Sequence, residues 1–259
     1  MDFGLRGKVA MVAASSKGIG LATARVLAEE GCILSICGRT EASLEAAIPL
    51  IGDDTRSYVV DVTNPDDLAW WHEQTVQDLG PVSVLVTNTG GPPAGALSTL
   101  TEEQWALGFQ STLMNVVRMV NVVAPSMAEA GWGRIVHVTS LVAKQPNDIL
   151  PISSTLRAGL LALTQLQARQ YAAQGVTVNG ILPGHTLTDR QLHLASIRSQ
   201  RDGITPEEAL RRQGEEVPVG RLATPEEIGA AIAFLCSQQA AYITGTSTLV
   251  DGGLNQGLA

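Results

Sequence analysis

Short apolar runs alternate with longer amphipathic stretches along this chain. Apolar runs fall at residues 9–13, 33–37, 57–60, 82–87, 134–139, 176–181 and 247–250. Between them, helical segments are read over 20–30, 41–50, 66–79, 102–130, 154–173 and 225–237. Runs this short and this apolar suit strands buried on both faces, and strands alternating with helices build parallel β-α-β units. Right-handed crossovers then produce a doubly wound sheet covered by helices on both sides. The pattern predicts one α/β domain around a seven-stranded parallel sheet.

The boundaries carry matching chemistry. Thr224-Pro225-Glu226-Glu227 reads as an N-cap, a proline at the first helical position and acids in the first turn. Thr101-Glu102-Glu103-Gln104 is a capping-box pattern, and Thr63-Asn64-Pro65-Asp66-Asp67 is a similar start. Gly31, Gly80 and Gly175 follow helical runs, where a C-terminal glycine belongs. Residues 188–212 stand apart: polar, rich in arginine and without strand signals. They predict a small helical insertion before the last strand. It would lie over the carboxyl ends of the strands, as a lid or as a solvated excursion.

At 259 residues and 45% hydrophobic, the chain can bury a full core. Its net charge of −8 argues against nucleic-acid or anionic-membrane binding over the whole surface, while leaving room for a local basic pocket. Cys32, Cys37 and Cys236 lack metal-ligand spacing and form no complete disulfide framework, so no metal is expected, and Cys32 and Cys37, in an apolar strand-like run, are expected as buried thiols. The N-terminal segment does not read as a signal peptide. No apolar run approaches the roughly 18 residues of a membrane span. The expectation is a soluble cytoplasmic protein.

The first strand leads through Ala13-Ala14-Ser15-Ser16-Lys17-Gly18-Ile19-Gly20 into a helix. Glycines at 18 and 20 let the backbone approach a ligand, and the helix N-terminus offers amides and a positive dipole end to a pyrophosphate. The second strand ends at Arg39, where an acid would grip the ribose 2′-hydroxyl of NAD and a cation pairs with a 2′-phosphate. Lys17 could meet the same group. Together they favour NADP(H) over NAD(H).

In order and spacing the chain resembles the short-chain dehydrogenase/reductase family, in particular its ketoacyl-reductase-like branch. The marks are Ser15-Ser16-Lys17-Gly18-Ile19-Gly20, Asp61-Val62-Thr63, Asn88-Thr89-Gly90, Gly133-Arg134-Ile135-Val136 leading to Ser140, Val178-Asn179 with Pro183-Gly184, Val219-Gly220-Arg221 with Pro225-Glu226-Glu227, and Gly245 with Asp251-Gly252-Gly253. The resemblance implies a Rossmann fold. It implies that Ser16, Lys17, Gly18, Ile19 and Gly20 form the phosphate loop. Asp61 and Val62 would meet the adenine, and Asn88 and Gly90 the adenosine ribose region. Pro183, Gly184, Thr186 and Thr188 would line the nicotinamide. It also implies a dimer or tetramer assembled through the long fifth and sixth helices. The apolar stretch 113–127 fits that role or an intrachain core face.

The departures bear on the chemistry. Where the family opens its phosphate loop with Thr-Gly, this chain has Ala13-Ala14. Its asparagine motif reads Thr87-Asn88-Thr89-Gly90, and the family's helix asparagine falls at Thr112, with Asn115 nearby. Ser140 matches the catalytic serine, but the tyrosine and lysine positions hold Ser153 and Arg157. Tyrosine has a pKa of ~10; serine is a far weaker acid and shorter by a ring. Arginine keeps its charge but does not relay a proton. The reading is an NADP(H)-dependent oxidoreductase acting on a small carbonyl/alcohol pair through Ser140, Ser153 and Arg157. His185, Asp148 and Asp189 are further acids at the site mouth, each with a solvent-facing alternative. A non-catalytic NADP(H) sensor and a non-redox enzyme on the same fold stay open. Substrate contacts are expected from 91–95, 141–151 and 188–212.

Overall fold

A computed structural model describes residues 2–52 and 54–257. Seven strands form one sheet: β1 (Val9–Val12), β2 (Ile33–Gly38), β3 (Arg56–Val59), β4 (Val82–Thr87), β5 (Gly133–Val138), β6 (Val176–Pro183) and β7 (Ser247–Val250). Their order is β3-β2-β1-β4-β5-β6-β7 and every pairing is parallel. This is the predicted doubly wound Rossmann sheet, with strand order reversing beside β1 and β4.

Alternate residues of each central strand feed two cores. Ala10 and Val12 of β1, with Val84 and Val86 of β4, face α1 (Gly18–Glu29) and α10 (Pro225–Cys236) through Ala24, Leu27, Ile228 and Ile232. Val9, Met11 and Leu85 face the other way, onto Leu68 and Trp71 of α4 (Pro65–Leu79), Met119 and Val123 of α6 (Asn115–Glu129), and Ala168 of α7 (Pro151–Tyr171). The apolar face of 113–127 is therefore spent largely inside the chain, since Val116, Met119, Val120, Val123, Ala124 and Met127 are all buried.

The caps form where the sequence places them. Thr101 and Thr224 both close reciprocal capping boxes, and Asn64 accepts a hydrogen bond from the Asp66 amide. Two helical segments differ from expectation. The stretch 41–50 splits into α2 (Glu41–Glu45) and α3 (Ile48–Ile51), because Pro49 can neither donate to an earlier carbonyl nor fit inside a continuing helix. The stretch 102–130 becomes α5 (Glu102–Phe109), one π-helical turn over Gln110–Met114, and α6. That turn buries Thr112 and Asn115 and leaves Thr112 Oγ1 and Asn115 Nδ2 without hydrogen-bond partners. The arginine-rich insertion folds as α8 (Asp189–Asp202) and α9 (Pro206–Glu216), capped by Thr188 and Thr205. The three cysteines are free and buried, and burial pushes the Cys32 and Cys37 thiols up to about 12. No helix among the described residues is long and apolar enough to cross a membrane.

One buried side chain ties three elements together. His137 of β5 is fully buried, with Nδ1 at 2.9 Å from Thr87 Oγ1 and Nε2 at 2.8 Å from Gln167 Oε1. Gln167 Oε1 accepts, so Nε2 carries the proton and Nδ1 accepts from the threonine hydroxyl. Burial lowers the imidazole pKa from 6.5 to about 4. The unfolded chain then takes up this proton before the folded one does. Stability from this group is complete above the unfolded value and is lost as pH falls through the window from 6.5 to about 4. Denaturant titration should show His137 contributing a loss of about 2 kcal/mol between pH 7 and pH 5. His137→Gln should flatten that part of the pH dependence, and an unchanged slope in the variant would rule the assignment out.

Candidate active site

Because all strands run the same way, their carboxyl ends open on one edge. There the loops and α8 enclose a cavity of about 790 Å³. One end is the turn between β1 and α1. Ser15 is buried and pins the turn, its Oγ donating to Val12 O at 2.7 Å and accepting from Cys37 N at 3.3 Å. The helix then opens at Gly18 with no side-chain cap from Lys17, so its first amides keep no partner from that residue. Gly18 has φ +58 and lines the cavity, as do Ala14, Ser16, Lys17 and Ile19. Gly20 does not line it. A Cβ there would meet the Ala14 carbonyl and come within 2.9 Å of Asn88 Nδ2, so this glycine lets α1 close onto its own loop.

Arg39, at the end of β2, is exposed on the cavity wall and has no ion pair or side-chain hydrogen bond among the described residues. Lys17 is placed differently from expectation: its Nζ reaches Asp189 Oδ2 at 2.8 Å, joining the phosphate loop to the first turn of α8. Asp61 lines the cavity while its Oδ1 accepts from the Thr63 amide and hydroxyl. Asn88 lines it too, and donates to Ala14 O at 3.3 Å. Val62, Gly90, Pro183, Gly184, Thr186 and Thr188 complete this part of the wall.

The far end gathers Ser140, Ser153 and Arg157. Ser140 follows β5, and its Oγ accepts from Val142 N at 3.3 Å. Ser153 and Arg157 sit one turn apart on one face of α7, and both are buried. Arg157 Nε donates to Ser153 Oγ at 3.2 Å, and its Nη1 donates to Val138 O at 2.8 Å. Burial, then the positive charge of Arg190, brings the Arg157 pKa down to about 10, which leaves it a cation at neutral pH.

His185 corrects one expectation. It is not a solvent-facing loop residue: its side chain is 18% exposed, it lines the cavity, and its Nε2 lies 4.0 Å from Glu216 Oε2. Burial, aided by Arg198, lowers its pKa to about 4, so it is neutral near pH 7. Asp148 is exposed and lies outside the wall, and Asp189 is engaged by Lys17. Among the described residues no cluster of three or more histidine, cysteine or acidic side chains is arranged for a metal ion. Arg190, His193 and Arg198 also line the cavity from α8, and sequence reasoning assigns none of them an individual role. Their signal was the helical spacing of Arg190, Leu194 and Arg198, which puts the three on one face.

Known proteins resemble this chain along nearly its whole length. The family described as enoyl-(acyl carrier protein) reductase matches residues 13–255. A 3-oxoacyl-(acyl-carrier-protein) reductase from Vibrio cholerae serotype O1 is 34% identical over 250 residues, covering 96% of this chain and 98% of the relative. Nodulation protein G of Azospirillum brasilense is 32% identical, covering 96% and 98%. Among solved structures, an actinorhodin polyketide ketoreductase with NADPH superposes with a TM-score of 0.93 at 30% identity, covering 96% of this chain and 98% of that one. L-Sorbose reductase from Gluconobacter frateurii, complexed with NADPH and L-sorbose, also gives 0.93 at 30% identity, with both chains fully covered. The chain belongs to the short-chain dehydrogenase/reductase family.

Ala14 is strained within this site. Its φ of +47 is the single positive value for a non-glycine residue among the described residues. Left-handed backbone costs an L-residue roughly 1–2 kcal/mol, and glycine is spared most of that. Ala14→Gly should therefore raise unfolding stability by about 1 kcal/mol. An unchanged or lowered denaturation midpoint would show that the turn carries no such strain.

Proposed function

We propose that this protein is an NADP(H)-dependent oxidoreductase interconverting a carbonyl and an alcohol, with Ser140, Ser153 and Arg157 as its catalytic set. Ser153 and Arg157 take the positions that the family gives to tyrosine and lysine. The observation that carries the reading is the continuity of one cavity from the uncapped α1 N-terminus and unpaired Arg39 to the Ser140–Ser153–Arg157 cluster. NADPH is named in the solved ketoreductase and sorbose reductase complexes.

The residues fit a dinucleotide. The free amides at the start of α1 suit its pyrophosphate, and Arg39 suits a 2′-phosphate. Asp61 and Val62 would hold the adenine, Asn88 and Gly90 the ribose region, and Pro183, Gly184, Thr186 and Thr188 the nicotinamide. When bound, the nucleotide gives or takes the hydride.

The side chains at the other end handle the oxygen. Ser153 Oγ accepts from Arg157 Nε, which turns its own proton outward for donation to a substrate oxygen. Ser140 Oγ accepts from Val142 N and is free to donate likewise. Arg157, fixed by Val138 O, keeps positive charge beside the Ser153 hydroxyl as negative charge grows on that oxygen. Stabilisation of this kind is worth about 3–4 kcal/mol. Arginine holds its proton and His185 is already neutral, so the proton comes from solvent water, passed on through the serine hydroxyl that donates to the oxygen, and the hydroxide left behind is neutralised in bulk solvent. The α8–α9 insertion acts as the lid over this end. Phe109 of α5 and Leu166 of α7 are exposed apolar side chains on the helices proposed to pair copies in a homo-oligomer. Three free buried thiols accord with a reducing cytoplasm.

Fluorescence titration should show NADPH binding more tightly than NADH. Arg39→Gln should weaken NADPH about tenfold to a hundredfold, the worth of a hydrogen bond to a charged group, and leave NADH nearly unaffected. Equal affinities in the unmodified protein would remove the case for a 2′-phosphate site. Ser140→Ala should lower kcat for carbonyl reduction at least about tenfold with NADPH affinity retained. Undiminished kcat would remove that hydroxyl from the mechanism.

A further inference from the structure

The arginines of the α8–α9 insertion divide into two sets. The outer ones are paired: Arg201 with Asp202, Arg211 with Glu208 and Glu215, and Arg212 with Glu208. Arg190 and Arg198, on the inner face, have no ion pair among the described residues, and neither does Arg157 below them. Arg190 Nη2 is spent on a neutral acceptor, Pro92 O, at 2.8 Å. Arg198 Nη1 is buried with no hydrogen-bond partner. Glu216 and Asp202 lie near enough to Arg198 to favour its charge, but neither reaches it as an ion pair, and Glu216 is 65% exposed.

An unpaired guanidinium taken out of water is costly, and repulsion between Arg190 and Arg157 adds to that cost. The cavity wall holds only two carboxylates among the described residues. Asp61 is tied into its turn at the nucleotide end, and Asp189 is tied to Lys17. The inner arginines thus face a space with positive charge in excess. Beside them, Val142, Ile149, Leu150 and Leu194 form a separate apolar cluster, with Ala94 and Ile197 packed against it.

We propose that the substrate is a carbonyl compound with an apolar skeleton bearing a carboxylate, and that Arg198 receives that carboxylate. This rests on the redox reading of the same cavity. An apolar wall with few other donors suits a monoanion better than a more heavily hydrated phosphate. The nucleotide's own phosphates are the other source of negative charge. Arg190 lies within one turn of the Thr188 cap and is close to them in chain position, whereas Arg198 lies two turns on, roughly 12 Å further along the helix. Arg198 is therefore the residue that separates the two sources.

The test is calorimetric titration of the full-length protein, nucleotide-free and NADPH-loaded, with 4-ethylbenzoate and with 4-ethylbenzamide, which differ only in the charged group. The acid should bind at least about tenfold more tightly than the amide, as expected of a charge-assisted pair. Arg198→Gln should abolish that preference while NADPH affinity stays as in the parent. Equal affinity for acid and amide in the parent protein overturns the proposal, with no variant needed. Loss of NADPH affinity in Arg198→Gln, matching its loss of acid affinity, assigns the arginine to the nucleotide and overturns it equally. NADPH oxidation with 4-acetylbenzoate and 4-acetylbenzamide reads the chemistry separately, and the acid should be preferred about tenfold in kcat/KM. If the acid binds selectively but neither ketone is reduced, the redox reading fails and the anion site stands.

Discussion

The parallel direction of every strand is the constraint on which the site depends. A sheet of this kind delivers each strand's carboxyl end to one edge, whatever the sequence of the loops. Residues far apart in the chain, such as Lys17, Arg39, Ser140 and His185, therefore line one cavity. The two apolar cores hold that edge still. They alternate residue by residue along β1 and β4, so neither face of the sheet can slip without exposing a core.

The electrostatics of the cavity run against those of the whole chain. The protein carries a net charge of −8, yet its cavity wall includes Lys17, Arg39, Arg157, Arg190 and Arg198 against two carboxylates. A field of one sign confined by low-dielectric walls concentrates anions locally, and the acidic exterior does not cancel it. Arg157 is the deepest of these cations. Its hydrogen bonds to Ser153 Oγ and Val138 O fix its position with neutral acceptors, so its charge is not neutralised. A rigid, uncompensated cation beside the Ser153 hydroxyl suits chemistry in which an oxygen gains negative charge.

The π-helical turn between α5 and α6 is the second irregularity that the site is built around. Such single turns occur often at functional sites, because the extra residue re-aims side chains without breaking the helix. Here it buries Thr112 and Asn115, each with an unpartnered polar atom, while Leu107 and Ser111 reach the cavity from the same stretch. Gly108 lets this segment lie against Ile152, one residue before Ser153. The turn and the proposed catalytic face of α7 are thus packed as one unit.

The sequence by itself determined the strand and helix pattern, the doubly wound fold and much of the lining of the cavity. These follow from local signals: apolar periodicity, threonine caps, and glycines between β1 and α1. It also placed Ser140, Ser153 and Arg157 together, through spacing within a resemblance. It read 102–130 as one helix, because a π turn has no reliable local signature, and it ran 41–50 through Pro49. Helical spacing already pairs Arg211 and Arg212 with Glu208 and Glu215, but the partners of charges far apart in the chain were decided only by tertiary structure. Lys17 meets Asp189 across 172 positions, Arg39 meets no partner among the described residues, and His185 turns inward instead of out. Pairing and burial depend on what the fold brings within a few ångströms, and sequence distance carries no information about that. For the same reason the spacing of Arg190 and Arg198 puts them on one helix face, but only the fold shows that this face meets the cavity.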